Sequence, residues 1–314
     1  MIRDTEDRKF MFGGFTLSEV LITIGIIGFV AIVVLSPLQR SSQERAYETA
    51  RKKALASIGE AIRQIAIQED INGSANAQDF VVGKLSKKIT IIKTCANNKL
   101  TQCGISSKIK VPKQMNSDET VIMTMPKTMS ALYTYNGPLS YLNTPSYGFV
   151  LNNGYSVNLF YNPNCVSGNA YYGSSTHKGV GRVVCVNAIY DMNGLKAPNQ
   201  VGKDIGIITV FYPDFTSVAV APKLNNQTKS KVKYTEAQQF CAQFDGYTLP
   251  SKEEALSIAF NTKILGNPGG YTWTHSSWNA TQNWVVRIYG LELTVGNKSR
   301  NMSGNANFVV FCVK

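Results

Sequence analysis

Apolar residues are spread unevenly along this chain. Phe15 to Leu35 reads FTLSEVLITIGIIGFVAIVVL, 21 residues with Glu19 as the single charge. About 20 apolar residues cross a bilayer as a helix, so this pattern predicts a membrane-spanning helix. A secretory signal fits less well, because the run is long and no small-x-small cleavage pattern follows it. Beyond Pro37, whose missing N–H loosens a helix, the pattern turns amphipathic. Ala54, Ile58, Ala61, Ile62 and Ile65 recur at helical spacing, with Lys52, Lys53, Glu60 and Arg63 between them. The helix is predicted to run to about Asp70, where Asn72-Gly73-Ser74 ends it.

From about 75 to 222 the pattern turns to short β-type runs parted by turn residues. The predicted strands are Thr120–Met125, Tyr147–Leu151, Tyr155–Tyr161, Gly181–Tyr190, Ile205–Tyr212 and Phe215–Val220. Residues 223–233 (KLNNQTKSKVK) are polar and basic without apolar periodicity, and read as a linker. Thr235-x-x-Gln238 and Ser251-x-x-Glu254 look like capping boxes opening two helices, and Asn307–Val313 reads as a terminal strand. The expected fold class is α+β: a long N-terminal helix, membrane-spanning in its first half, packed on an antiparallel β-sheet, then a small α+β C-terminal domain.

Charge adds less than its size suggests. The net charge of +12 reflects few acids (20) as much as many bases (32). DNA or an acidic glycan is one partner class for such a surface; scattered lysines that merely solvate it are the other reading. Six cysteines, Cys95, Cys103, Cys165, Cys185, Cys241 and Cys312, show no C-x-x-C spacing and accompany only two histidines, His177 and His275. Zinc is therefore disfavoured, and an even number in an exported chain suggests disulfides. Nearest-in-sequence pairing is the simplest of 15 connectivities. Trp273, Trp278 and Trp284 could stack on sugars or fill a small core.

Residues 191–204 read DMNGLKAPNQVGKD, with Asp191, Asn193, Asn199 and Asp204 offering hard oxygens around a turn at Gly194 and Pro198. Calcium takes six to eight such ligands in irregular loops. The competing reading is an Asx-rich turn bonded to its own backbone, and Lys196 and Lys203 oppose a dication. No other cofactor is suggested. Phosphate-binding loops, nucleophile elbows and metalloprotease helices are absent from the sequence, so no enzyme activity is expected.

Gly13-Gly14-Phe15-Thr16-Leu17-Ser18-Glu19-Val20-Leu21, followed by the apolar helix, resembles the prepilin family of type IV pilins and pseudopilins. The resemblance implies cutting by a prepilin peptidase after Gly14, N-methylation of Phe15, and Glu19 as the assembly carboxylate. It also implies an inner-membrane single-pass precursor with a periplasmic or extracellular globular part, which then joins other pilin subunits in a helical surface filament. An acid in lipid needs a partner; the α-amino group of a neighbouring Phe15 would supply it, and snorkelling to the interface is the alternative. The calcium-type run resembles a loop found in many pilin-like proteins, some of which hold calcium. Cys241, the run GYTLPSKEE (Gly246 to Glu254) and the final FVVFCV resemble a bacterial C-type-lectin-like surface module. The implied order is a leader (1–14), an assembly helix (15–36), a pilin-like α+β domain (37–222), a linker (223–233) and a C-terminal module (234–314). The implied function is a minor pilin or pseudopilin, with a surface adhesin or DNA-binding subunit delivered by the pilin helix as the alternative.

Overall fold

The computed structural model describes residues 16–113, 119–133, 143–165, 171–172, 182–212, 214–220, 225–229, 232–244, 246–266, 270–287, 292–298 and 308–313. Gly14 and Phe15 lie outside them, as does His177. The first helix, α1, is Leu17–Ala54. Its start is a reciprocal capping box: Thr16 N–H donates to the Glu19 carboxylate (2.9 Å) and Glu19 N–H donates to the Thr16 hydroxyl (3.3 Å). A π-helical turn, Leu55–Gly59, leads into α2, Glu60–Gln68, so helical backbone ends close to the expected Asp70.

The membrane-spanning half of α1 needs correction. Among the described residues, no helix is long and apolar enough to cross a membrane. The fold is α+β with a mainly antiparallel sheet, without the spanning helix.

Two compact units divide the chain within α1, at Met1–Glu48 and Thr49–Lys314. In the second unit, β1 (Ile91–Cys95), β4 (Tyr147–Leu151), β5 (Ser156–Tyr161), β7 (Arg182–Asp191), β8 (Ile205–Tyr212) and β9 (Thr216–Val220) lie side by side in that order, and β6 (Tyr171–Tyr172) pairs with β7. All of these pairings are antiparallel. A separate hairpin joins β2 (Lys108–Pro112) to β3 (Thr120–Thr124). The expected short β-type runs coincide with β3, β4, β5, β7, β8 and β9 to within a residue or so at each end.

The inner strands β5, β7 and β8 are buried on both faces. One face carries Phe149, Val157, Leu159, Tyr161, Ile208 and Val210 against Ala54, Ile58, Ile62 and Ile65 of the helical segment and Phe80 of α3 (Ala77–Gly83). Gly59 permits this close approach, since a Cβ there would meet the Ser217 side chain at 2.8 Å. The opposite face carries Phe160, Ile207 and Phe211. It shares a core with Leu256, Ala259 and Phe260 of α5 (Lys252–Phe260) and Ile264 of α6 (Thr262–Leu265).

The C-terminal residues form a second sheet, ordered β10 (Asn225–Lys229), β14 (Phe308–Cys312), β11 (Tyr271–Asn279), β12 (Gln282–Arg287) and β13 (Glu292–Asn297). Asn225–Lys229 falls inside the stretch expected to be a linker; its backbone pairs with β14 despite its polar side chains. Ser251 and Glu254 form the expected capping box of α5. The other expected box is corrected: α4 spans Tyr234–Ala242 with Lys233 at the cap and no side-chain bond there. Tyr234 packs edge-on against Trp273 at 5.6 Å, which draws it into the helix ahead of Thr235. Trp273 and Trp284 are buried core residues, and the Trp273 indole N–H donates to the Val232 carbonyl.

Candidate cation site in the β7–β8 connection

The register of the two central strands sets up this site. Asp191 ends β7 and pairs with Ile205, the first residue of β8, so Asp204 sits beside it at the same end of the sheet. The Met192 N–H donates to the Asp204 carbonyl (3.0 Å), closing the base of the loop. Two carboxylates are thus brought together at the base of a 14-residue loop.

Each side chain spends part of its bonding capacity on the loop itself. Asp191 Oδ1 accepts from the Asn193 and Gly194 amides at 3.0 and 2.9 Å, an Asx turn of the expected kind. Asp204 accepts from Asn199 N–H at 2.9 Å and Gln200 N–H at 2.8 Å. The Asn193 amide donates to Ala197 O, and the Asn199 amide to Leu195 O and Lys196 O. Asn199 adopts φ +47°, a left-handed conformation that Asn tolerates better than most residues. The turn reading is therefore part of the structure.

It leaves oxygens over. Asp191 Oδ2, Asn193 Oδ1 and Asn199 Oδ1 are buried without a hydrogen-bond partner in the protein. Buried polar atoms are nearly always satisfied, and three orphans from four residues of one loop form an oxygen-rich environment. Asp191 is 4% exposed and Asp204 fully buried. Burial pushes the Asp191 carboxyl up to about 7, against the lowering pull of the Asn193 amide, and the nearby Asp204 charge raises it further. Two buried acids repelling each other beside unpaired amide oxygens are the donor set a hard cation satisfies. Asp191, Asn193, Asn199 and Asp204 would supply the ligands, and the charge would offset the repulsion. Lys196 and Lys203 are exposed. Among the described residues no group of three or more His, Cys, Asp or Glu could hold a metal; this donor set has two acids and takes its other oxygens from amides.

The other anticipated residues lie elsewhere. Glu19 is exposed and bonded to Thr16, a partner visible in sequence only as the first position of the T-x-x-E box. The cysteines pair nearest-in-sequence: Cys95–Cys103 closes the 3-10 turn after β1, Cys165–Cys185 anchors β7, and Cys241–Cys312 joins α4 to β14. Closing the 71-residue separation of the last pair stabilises by about 4 kcal/mol in the chain-entropy treatment. The sequence did not signal Lys110. Its backbone N–H donates to Asn199 O (2.8 Å) and its carbonyl accepts from Val201 N–H (2.9 Å), tying β2 to the loop. No family model matches the chain, and no characterised protein matches it in sequence.

Proposed function

We propose that this chain is a structural subunit, a minor pilin or pseudopilin, of a type IV pilin-like filament, cut after Gly14 and methylated at Phe15. The observation that carries the reading is the first part of α1. Leu17, Val20, Leu21, Ile22, Ile24, Ile26, Ile27, Phe29 and Val30 are all 42–78% exposed. At about 100° per residue they cover every side of the helix, and a helix apolar all round belongs in the interior of something larger. Each such side chain gains roughly 1.5–3 kcal/mol on full burial. Helices of sibling subunits, equally apolar, are the occupants that suit this surface.

Glu19 is the single charge in that apolar run, and its capping bonds to Thr16 satisfy it in the single chain. Trimming at Gly14 would leave a free α-amino group at Phe15, the cation that a carboxylate enclosed among apolar helices requires. Three disulfides suit an exported globular part. The 191–204 oxygens are hard donors, which favours calcium over zinc or copper. A surface filament would meet calcium in the range of about 10⁻⁴–10⁻³ M at which extracellular sites work. Burial of Trp273 and Trp284 removes two candidate sugar platforms, which weighs against the adhesin alternative.

The test is mass spectrometry of the mature protein from its host, with native and Glu19→Ala chains compared in sheared filaments. The expected result is an N-terminal methyl-Phe15 in both, with the variant depleted from filaments. Protein that keeps Met1 and never enters a polymer would overturn the reading.

A further inference from the structure

The loop that carries the candidate cation ligands also forms a short ladder with β2. Lys110 pairs with Gln200 in a parallel bridge, through the Lys110 N–H to Asn199 O and Val201 N–H to Lys110 O bonds. The loop residues in this ladder are also held by Asp204, whose two carboxylate oxygens take the Asn199 and Gln200 amides. Gln200 O in turn accepts from Lys203 and Ile205 N–H, and Gly202 N–H donates to Ile205 O. Asn199 thus does two things at once: its side-chain oxygen is an orphan facing no protein donor, and its main-chain oxygen holds β2. A second contact lies nearby, where Gly104, just after the Cys95–Cys103 turn, approaches Gly194 of the loop closely enough that a Cβ on Gly104 would stand 3.6 Å from the Gly194 Cα.

We infer that a divalent cation in the 191–204 loop regulates the β2–β3 hairpin, its occupancy locking the Asn199–Gln200–Val201 backbone against Lys110. This rests on the cation reading of the loop and extends it from a ligand set to a coupled element. The hairpin buries Ile109 and Val111 and presents Lys108 and Lys110 outward, with Ile122 71% exposed opposite Lys110. Occupancy therefore sets how firmly a basic and partly apolar surface is held. Linkage makes the coupling reciprocal: whatever the cation adds to the ladder, the ladder adds to cation affinity.

The experiment uses the oxidised full chain. Hydrogen exchange is followed with calcium chloride or with chelator, and calcium affinity is measured by calorimetry for wild type, Lys110→Ala and Lys110→Pro. The alanine keeps the Lys110 N–H and the proline deletes it. Calcium is expected to slow exchange of the Lys110 and Val201 amides at least tenfold while leaving β5 and β7 amides unchanged. Lys110→Pro is expected to bind calcium five- to tenfold more weakly, and Lys110→Ala as wild type. If calcium binds wild type but leaves those two amides unchanged, the coupling is wrong and the cation site stands. If wild type binds no calcium, both fall. The exchange measurement on wild type decides the matter even if the proline chain fails to fold.

Discussion

Removing the Asn261 side chain should loosen the C-terminal helices from the central sheet, and the size of the effect follows from a buried network. Asn187 on β7, Thr209 on β8, Ser257 on α5 and Asn261 just after it are all fully buried. The Asn187 amide donates to Asn261 Oδ1 (3.0 Å), and Asn187 Oδ1 accepts from Thr209 Oγ1 (2.7 Å) and Asn261 Nδ2 (3.3 Å). Asn261 Nδ2 also reaches Ser257 O at 2.9 Å, and Thr209 and Ser257 share a hydroxyl bond of 2.7 Å. In Asn261→Ala the fully buried Asn187 amide loses its acceptor, which costs about 1–3 kcal/mol. The small void left behind adds roughly 1 kcal/mol. The total expectation is about 2–4 kcal/mol, read from urea unfolding of the oxidised chain by near-ultraviolet circular dichroism. Asn187→Ala should cost a similar amount. The double variant should cost about 1–2 kcal/mol less than the sum, because one bond is counted twice and neither partner remains orphaned. A loss below about 0.5 kcal/mol for Asn261→Ala, or strict additivity, would refute the network as the fastening.

Two further expectations concern the same sheet. Asp191→Asn keeps an oxygen for the Asn193 and Gly194 amides but removes the buried charge. With its carboxyl raised to about 7 by burial, Asp191 should contribute most to the stability of metal-free wild type below the ordinary carboxylate range, and that contribution should be lost as pH climbs towards 7. The variant should lack that loss and should gain no thermal stability from calcium, whereas wild type gains by mass action; a calcium response in the variant would place the ion elsewhere. Gly206→Ala would drive a Cβ into the Tyr190 ring, itself buried and stacked on Tyr155. Overpacking of this kind costs about 1–3 kcal/mol, visible as a lower midpoint in thermal unfolding, and an unchanged midpoint would mean that the ring yields freely.

Much of the sheet was legible because its strands satisfy one local rule: period two or a short apolar run, bounded by Gly, Asn and Pro. Edge and hairpin strands were not. Ile91–Cys95 buries only one of its residues, and Lys108–Pro112 spans five residues inside a Lys- and Asn-rich stretch, so neither stood out from a loop. Asn225–Lys229 carries no apolar side chain at all; it is a strand because β14 needs a backbone partner. The candidate ligands were legible as residue types, since Asp and Asn crowd one short segment, but the sequence offered the turn and the cation as rivals.

Local chemistry alone determined the apolar run that opens α1 and the Ser251 box, because each needs only residues close in the chain; the cysteine pairing was one of fifteen until the fold brought the partners together. Tertiary structure decided the rest. Strand register put Asp204 beside Asp191, packing drew Asn261 onto Asn187 from 74 residues away, and burial left one oxygen each on Asp191, Asn193 and Asn199 without a partner. Satisfaction of a polar atom depends on everything folded around it, so no reading of neighbours along the chain could have told which oxygens would be left over.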